Sequence, residues 1–212
     1  RTLYAAMRKD KKSEATIRQT HAILHRALKV AQREGKVSRN VADLIDPPKT
    51  EKRKRAGLTA TQARKVLKDA PLRWYVALCL GLRQGEALGL RWSDVNMDEG
   101  WLMVEQTLVR VPGEGLRFDT PKSRSSRRMV PIPTVVLSRF KVTWAEHLAA
   151  GGDPNGLVFH RDGMPVGHRA DWQAWSDLLE AAGVPHIALH AARNTTASLL
   201  EAAGVPARLV ME

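Results

Sequence analysis

Gly81-Leu82-Arg83-Gln84-Gly85-Glu86-Ala87-Leu88-Gly89-Leu90-Arg91-Trp92 is the stretch on which the reading of this chain turns. It follows an apolar segment, Leu72 to Leu80, whose composition predicts a buried helix. Arg83 is thereby set at the end of that helix, where an unpaired charge is expensive. Glu86 is the nearest partner, and an Arg83–Glu86 ion pair accounts for both residues on structural grounds alone. Further along stand Lys122 in TPKSRSSRRMVPIP (120–133) and His190 with Arg193 in LHAARNTTASLL (189–200). His190 and Arg193 are three apart in a predicted helix from about His190 to Ala203. They share one face and can both donate toward one anion. Lys122 lies with Arg124, Arg127 and Arg128 in a basic loop at a strand turn. A lysine there can protonate an alkoxide leaving group once its pKa is tuned, although a solvated basic loop is the plain alternative. Together, two arginines, a lysine and a histidine form a set suited to stabilising and protonating a phosphodiester under attack. His186 and His190 have a spacing seen in zinc sites, but Pro185 interrupts the helix and no third ligand is apparent. Neither a metal nor another cofactor is expected.

The composition fits this chemistry. The 212 residues allow one large or two small domains, and a hydrophobic fraction of 43% is that of a globular chain. There is no apolar run of membrane-spanning length and no signal-peptide pattern, so a cytoplasmic protein (host cytoplasm or nucleoid) without a membrane partner is expected. The single cysteine, Cys79, excludes an internal disulfide and reads as a structural thiol. The net charge of +12 is unevenly distributed. Residues 1–55 hold 16 Lys and Arg against 6 Asp and Glu, whereas the rest hold 18 against 16. A basic first quarter on a nearly neutral body points to a polyanion-binding module, with a solvated basic face or an anionic membrane patch as the alternatives.

From about Ser13 to Gly35, Ile17, Leu24, Leu28 and Ala31, flanked by Ile23, Ala27 and Val30, predict a helix with one apolar face. Arg18, Arg26, Lys29, Arg33 and Lys36 fall within an arc of roughly 80° at about 100° per residue. Such a stripe can neutralise phosphates along a DNA backbone. Residues 49–57, with Lys52, Arg53, Lys54 and Arg55, read as a basic interdomain linker that can follow the same backbone. The predicted division is thus a partial helical module at 1–48, the linker, and a second domain at 58–212. That domain opens with a T-x-x-Q capping box at Thr59–Gln62. Short strands are predicted in WLMVEQTLVRV, RFDT and RRMVPI, and helices at Val135–Ala149 and His168–Ala182. The fold class is mainly α with a small antiparallel β-sheet (α+β).

The order and spacing of GLRQGEALGLRWSDV, TPKSRSSRRMVPIP and LHAARNTTASLLEAAGV resemble the catalytic domain of the tyrosine recombinases, the phage integrase family. The resemblance covers about residues 56–212, and 13–55 are similar to the end of that family's helical core-binding domain. It implies a tyrosine-recombinase catalytic fold in a two-domain DNA clamp. It also implies a site-specific recombinase that cuts and rejoins DNA through a 3′-phosphotyrosine. Arg83 and Arg193 would bind the non-bridging oxygens of the scissile phosphate, Lys122 would protonate the leaving 5′-oxygen, His190 would assist proton transfer, and Glu86 would support the site. Arg124 and the basic residues of 18–33 and 52–55 would contact DNA. The partners implied are double-stranded DNA attachment sites, a homotetramer on DNA and DNA-bending accessory proteins. The family's nucleophilic tyrosine matches neither Tyr4 nor Tyr75, which places it past residue 212 of a longer integrase. Ala191 and Asn194 depart from the family's usual residues around H-x-x-R. A non-catalytic DNA-binding protein on the same scaffold and a type IB topoisomerase-like enzyme are the alternatives.

Overall fold

The computed structural model describes residues 2–49, 57–120 and 127–202. The chain divides into two compact units, residues 1–54 and 55–212. The predicted DNA contacts Lys52, Arg53, Lys54, Arg55 and Arg124 lie outside the described residues, as do Lys122 and Ala203.

The first unit contains helices α1 (Thr2–Lys9) and α2 (Glu14–Arg33) and a 3-10 turn at Val41–Leu44. Ser13 caps α2 by accepting the Thr16 N–H, and its β-region backbone turns the chain into the helix. The predicted apolar face is shifted. Ile17 and His21, one turn apart, are the buried residues of α2, whereas Ile23 is 62% exposed. His21 is drawn in because Tyr4 of α1 bonds to its Nδ1 at 2.8 Å, a polar contact that apolar periodicity does not register. Asn40 closes the unit: its side chain donates to the His25 carbonyl and accepts the Ala42 N–H.

The second unit begins with α3 (Ala60–Leu67), where Thr59 and Gln62 form the predicted reciprocal cap. The predicted Leu72–Leu80 helix is instead α only at Leu72–Tyr75 (α4). It widens to a π-helix over Val76–Leu80 and ends on Gly81 at φ +60°, a left-handed conformation suited to glycine. The next helix, α5 (Gln84–Leu88), lies within the Gly81–Trp92 box. The predicted single sheet is three separate pieces. β1 (Val95–Asn96), β2 (Trp101–Val104) and β5 (Arg128–Pro131) make one sheet in the order β1-β2-β5. β3 (Thr107–Val111) and β4 (Gly115–Asp119) form their own hairpin. WLMVEQTLVRV is thus two strands broken at Glu105-Gln106. There the Gln106 side chain leaves the ladder to donate to the Gly89 carbonyl. Helix α6 (Thr134–Ala149), the short hairpin β6 (His160–Arg161) with β7 (Met164–Pro165), α7 (His168–Ala181) and α8 (Ala192–Ala202) complete the order.

The core packs α4 and α6 with α7. Trp74 meets Trp175 at 5.3 Å between ring centroids, and Trp92 meets Phe140 edge-on. A buried ion pair crosses this core: Arg73 donates through Nε and Nη2 to both Asp171 oxygens at 2.9 Å. Gln84 donates to the same carboxylate at 3.0 Å and to the His168 carbonyl at 2.9 Å, so the start of α5 is pinned to α7.

Candidate active site

Arg83 leaves the π-helix in extended backbone (φ −65°, ψ 152°) and stands as the residue before α5. Glu86, at the third helical position, turns back to accept the Arg83 N–H at 2.8 Å, one half of a capping box. A guanidinium cannot accept the reciprocal bond, so the other half is an ion pair, Arg83 Nη1 to Glu86 Oε1 at 2.7 Å. The glycines of the box supply close approach. A Cβ at Gly85 would lie 2.5 Å from the Leu108 carbonyl oxygen, and one at Gly89 3.2 Å from the Gln106 carbonyl oxygen. Helix α5 therefore lies directly on β3.

A third cation completes the arrangement. Arg128 of β5 donates to both Glu86 oxygens at 3.1 and 2.8 Å. Arg193, the second residue of α8, brings its Nη1 to 3.9 Å from Glu86, too far for a hydrogen bond. That Nη1 is buried and has no hydrogen-bond partner among the described residues. One carboxylate, 6% exposed, is thus faced by three guanidinium groups. Burial pushes the Glu86 pKa up, but the bonds from Arg128 and Arg83 outweigh it and hold the group at about 2. Burial, with repulsion from Arg83 and Arg128, lowers the Arg193 pKa against the pull of Glu86. Two positive charges remain uncompensated. The Arg83 side chain is 58% exposed, and Arg193 sits in the first turn of α8, where the helix dipole is positive. The cluster can therefore receive an oxyanion without first losing a structural bond of Arg193.

Helix α8 is held where it must be to present Arg193. Thr195 Oγ1 accepts the Leu58 N–H at 2.9 Å, and Thr196 Oγ1 donates to the Leu78 carbonyl in the π-helix at 2.9 Å. The predicted continuous helix from His190 is broken in two. Leu189–Ala191 is a 3-10 turn, and α8 starts at Ala192, so exposed His190 lies just outside the helix that carries Arg193.

The structure thus brings Arg83, Glu86 and Arg193 together. Arg128 and the Arg73–Asp171–Gln84 network were not anticipated as site residues. Strand phase singles Arg128 out: in Arg128-Met129-Val130-Pro131 the first and third residues are the more buried, so Arg128 is in phase with Val130. Among the described residues, no group of three His, Cys, Asp or Glu side chains could hold a metal, and the His186 ring is hydrogen-bonded to Ser176. Tyr75 is buried, and its hydroxyl donates to the Leu67 carbonyl at 2.7 Å while accepting from Arg139. Burial pushes the Cys79 thiol up to about 11, which keeps it neutral. On α2, the predicted DNA contacts Arg18, Arg26, Lys29 and Arg33 are all exposed, and the last three line one shallow hollow.

The arginine cluster stands on a helical domain with small antiparallel sheets. The family model described as Phage integrase matches residues 54–212, and the chain belongs to that family. It is 27% identical to an integrase of Saccharopolyspora erythraea, over 93% of this chain and 60% of that protein. It is 33% identical to a XerC-like tyrosine recombinase of Caldanaerobacter subterraneus subsp. tengcongensis, over 65% of this chain and 40% of that protein. The chain therefore spans 60% or less of the length of these relatives. The Tn1549 transposon integrase in complex with transposon right end DNA shares the fold at TM-score 0.78 and 21% identity, covering 98% of this chain and 73% of that one. A lambda integrase dimer bound to a core site gives 0.70 and 18%, with the same coverage. No helix among the described residues is long and apolar enough to cross a membrane.

Proposed function

We propose that this chain contributes the DNA-binding and catalytic portions of a site-specific recombinase. Residues 1–48 serve as part of a core-binding domain and 58–212 as a catalytic domain, joined by 49–57 into a clamp on double-stranded attachment-site DNA. Arg83 and Arg193 bind the non-bridging oxygens of the scissile phosphate and stabilise its pentavalent transition state. Lys122 delivers a proton to the departing 5′-oxygen, His190 assists proton transfer, and Glu86 fixes Arg83. The nucleophile is a tyrosine other than Tyr4 and Tyr75. Its attack forms a 3′-phosphotyrosine that stores the bond energy for rejoining, so neither ATP nor metal is consumed. Arg18, Arg26, Lys29, Arg33, Lys52, Arg53, Lys54, Arg55 and Arg124 contact the DNA. A homotetramer, with DNA-bending proteins at the attachment sites, works in the host cytoplasm or nucleoid.

The observation that carries this reading is the cluster itself: two guanidinium groups, on α8 and before α5, left with uncompensated charge around one buried carboxylate. The test is a nicked suicide duplex carrying the attachment site, incubated with the natural full-length protein. A covalent protein–DNA adduct is expected, with a loss of at least about a hundredfold in Arg83→Ala or Arg193→Ala. An adduct that survives both substitutions refutes the assignment. Salt-steep DNA binding with no adduct would instead identify a non-catalytic protein on this scaffold.

A further inference from the structure

We infer that Arg128 is a positioning residue of this site, acting through Glu86 to keep the Arg83 and Arg193 guanidinium groups available to an oxyanion. The inference rests on the reading that Arg83 and Arg193 receive a phosphodiester. A carboxylate offers about four acceptor positions. In Glu86 all four are taken: two by Arg128, one by the Arg83 side chain and one by the Arg83 backbone N–H. The carboxylate is buried, so its charge must be met by a cation with well-formed hydrogen bonds. Arg128 meets it bidentately from a fixed mount. Its backbone pairs with Val104 across the sheet, and its phase in β5 aims it at the more buried side that Val130 shares. The neighbouring Arg127 is committed elsewhere, to Glu105 at 3.3 Å.

Removing the Arg128 side chain opens two acceptor positions on a buried anion. The cations beside them are Arg83, with donors to spare, and Arg193, whose Nη1 stands 3.9 Å away without a hydrogen bond. Both are drawn onto the carboxylate, and each bond made there is a donor lost to an incoming oxyanion. With Arg128 in place the cluster holds three guanidinium charges against one carboxylate. Arg128 takes two of its acceptor positions, so Arg83 is held by a single side-chain bond and Arg193 by none. Arg128 thus acts as an internal counter-ion that prevents Glu86 from competing with substrate.

Sulfate is a suitable probe, because it keeps its charge over the working pH range. Its affinity is measured by calorimetry for wild type, R83A, R128M, R128K, E86Q and E86Q/R128M at low ionic strength. R128M is expected to weaken sulfate about tenfold, with R128K, which restores a cation but not the fork, in between. The deciding comparison is E86Q in the two backgrounds. It raises the affinity of R128M at least about fivefold more than that of wild type, since a neutral amide no longer recruits the arginines. An equal effect in both backgrounds means that Arg128 acts independently of Glu86 and overturns the inference. A second readout is the pH profile between about pH 7 and pH 4. R128M gains more sulfate affinity than wild type as pH falls and Glu86 takes up a proton; parallel profiles overturn the inference too. If R128M does not fold, R128K carries the profile comparison. Equal sulfate binding by wild type and R83A would instead strike the oxyanion reading itself, a failure distinct from that of Arg128.

Discussion

A carboxylate ringed by guanidinium groups makes folding stability depend on pH in a definite direction. Glu86 has a folded pKa of about 2, below its ordinary 4.5, so its ionised form binds the native state better than the unfolded one. That contribution is complete above about pH 4.5 and is lost as pH falls toward 2. It amounts to roughly 3 kcal/mol across the interval. Urea titrations from pH 5 to pH 2 should show this loss in the wild type and a shallower one in Glu86→Gln; identical slopes would mean that the carboxylate is not held by its arginines. At Cys79 the opposite shift applies, and reaction with a thiol reagent at neutral pH is expected to be far slower than in the unfolded chain. Arg83, Glu86 and Arg193 were legible in the sequence because their motifs carry them. Arg128 was not, because four basic residues in one loop look alike until strand phase separates the inward one from the rest.

At the level of elements, the site depends on how closely α5 can approach β3 and how firmly α7 holds α5. Gly85→Ala is a direct probe. In an exposed helix alanine would gain about 1 kcal/mol over glycine, but here its Cβ meets the Leu108 carbonyl oxygen and the Thr107 hydroxyl at 2.5 and 2.6 Å. Overpacking against backbone reverses the sign, and a net loss of about 1 to 3 kcal/mol in chemical denaturation is expected; a stabilised variant would refute the contact. Asp171→Ala should cost about 3 to 5 kcal/mol, since it strands the buried Arg73 guanidinium and frees Gln84. A ΔΔG below 1 kcal/mol would show that water replaces the pair. Helix positions were readable from capping and periodicity at α2, α3, α6 and α7. The π-helix was not, because Val76–Leu80 is apolar on every side and gives no periodicity from which a wider turn could be told. The 3-10 turn before α8 had no visible signal either, since the Thr195 and Thr196 contacts that hold the helix reach segments more than a hundred residues away.

Across the whole molecule, net positive charge is carried mainly by the first unit, and the arginine cluster lies in the second. DNA affinity should fall steeply with salt, and Arg26→Ala, Lys29→Ala and Arg33→Ala should each flatten the log–log slope by about 0.9 if each neutralises one phosphate. Unchanged slopes would assign these residues to a solvated face. The antiparallel pieces were expected as one sheet because strand propensity reports extended segments and not their pairing. Where β3 parts from β2, the Gln106 side chain bonds to the Gly89 carbonyl, a tertiary contact.

The ties that assemble the second unit also bear on when it can exist. Leu58 waits for Thr195, Leu78 for Thr196 and Arg73 for Asp171, separations of 137, 118 and 98 residues. Such long closures are made late and slowly. During synthesis the segment around Arg83 therefore leaves the ribosome well before the helix that completes it. Until then its apolar flank from Leu72 to Leu80 has no cover from α7 or α8, and the nascent chain carries an exposed apolar surface of the kind that favours aggregation.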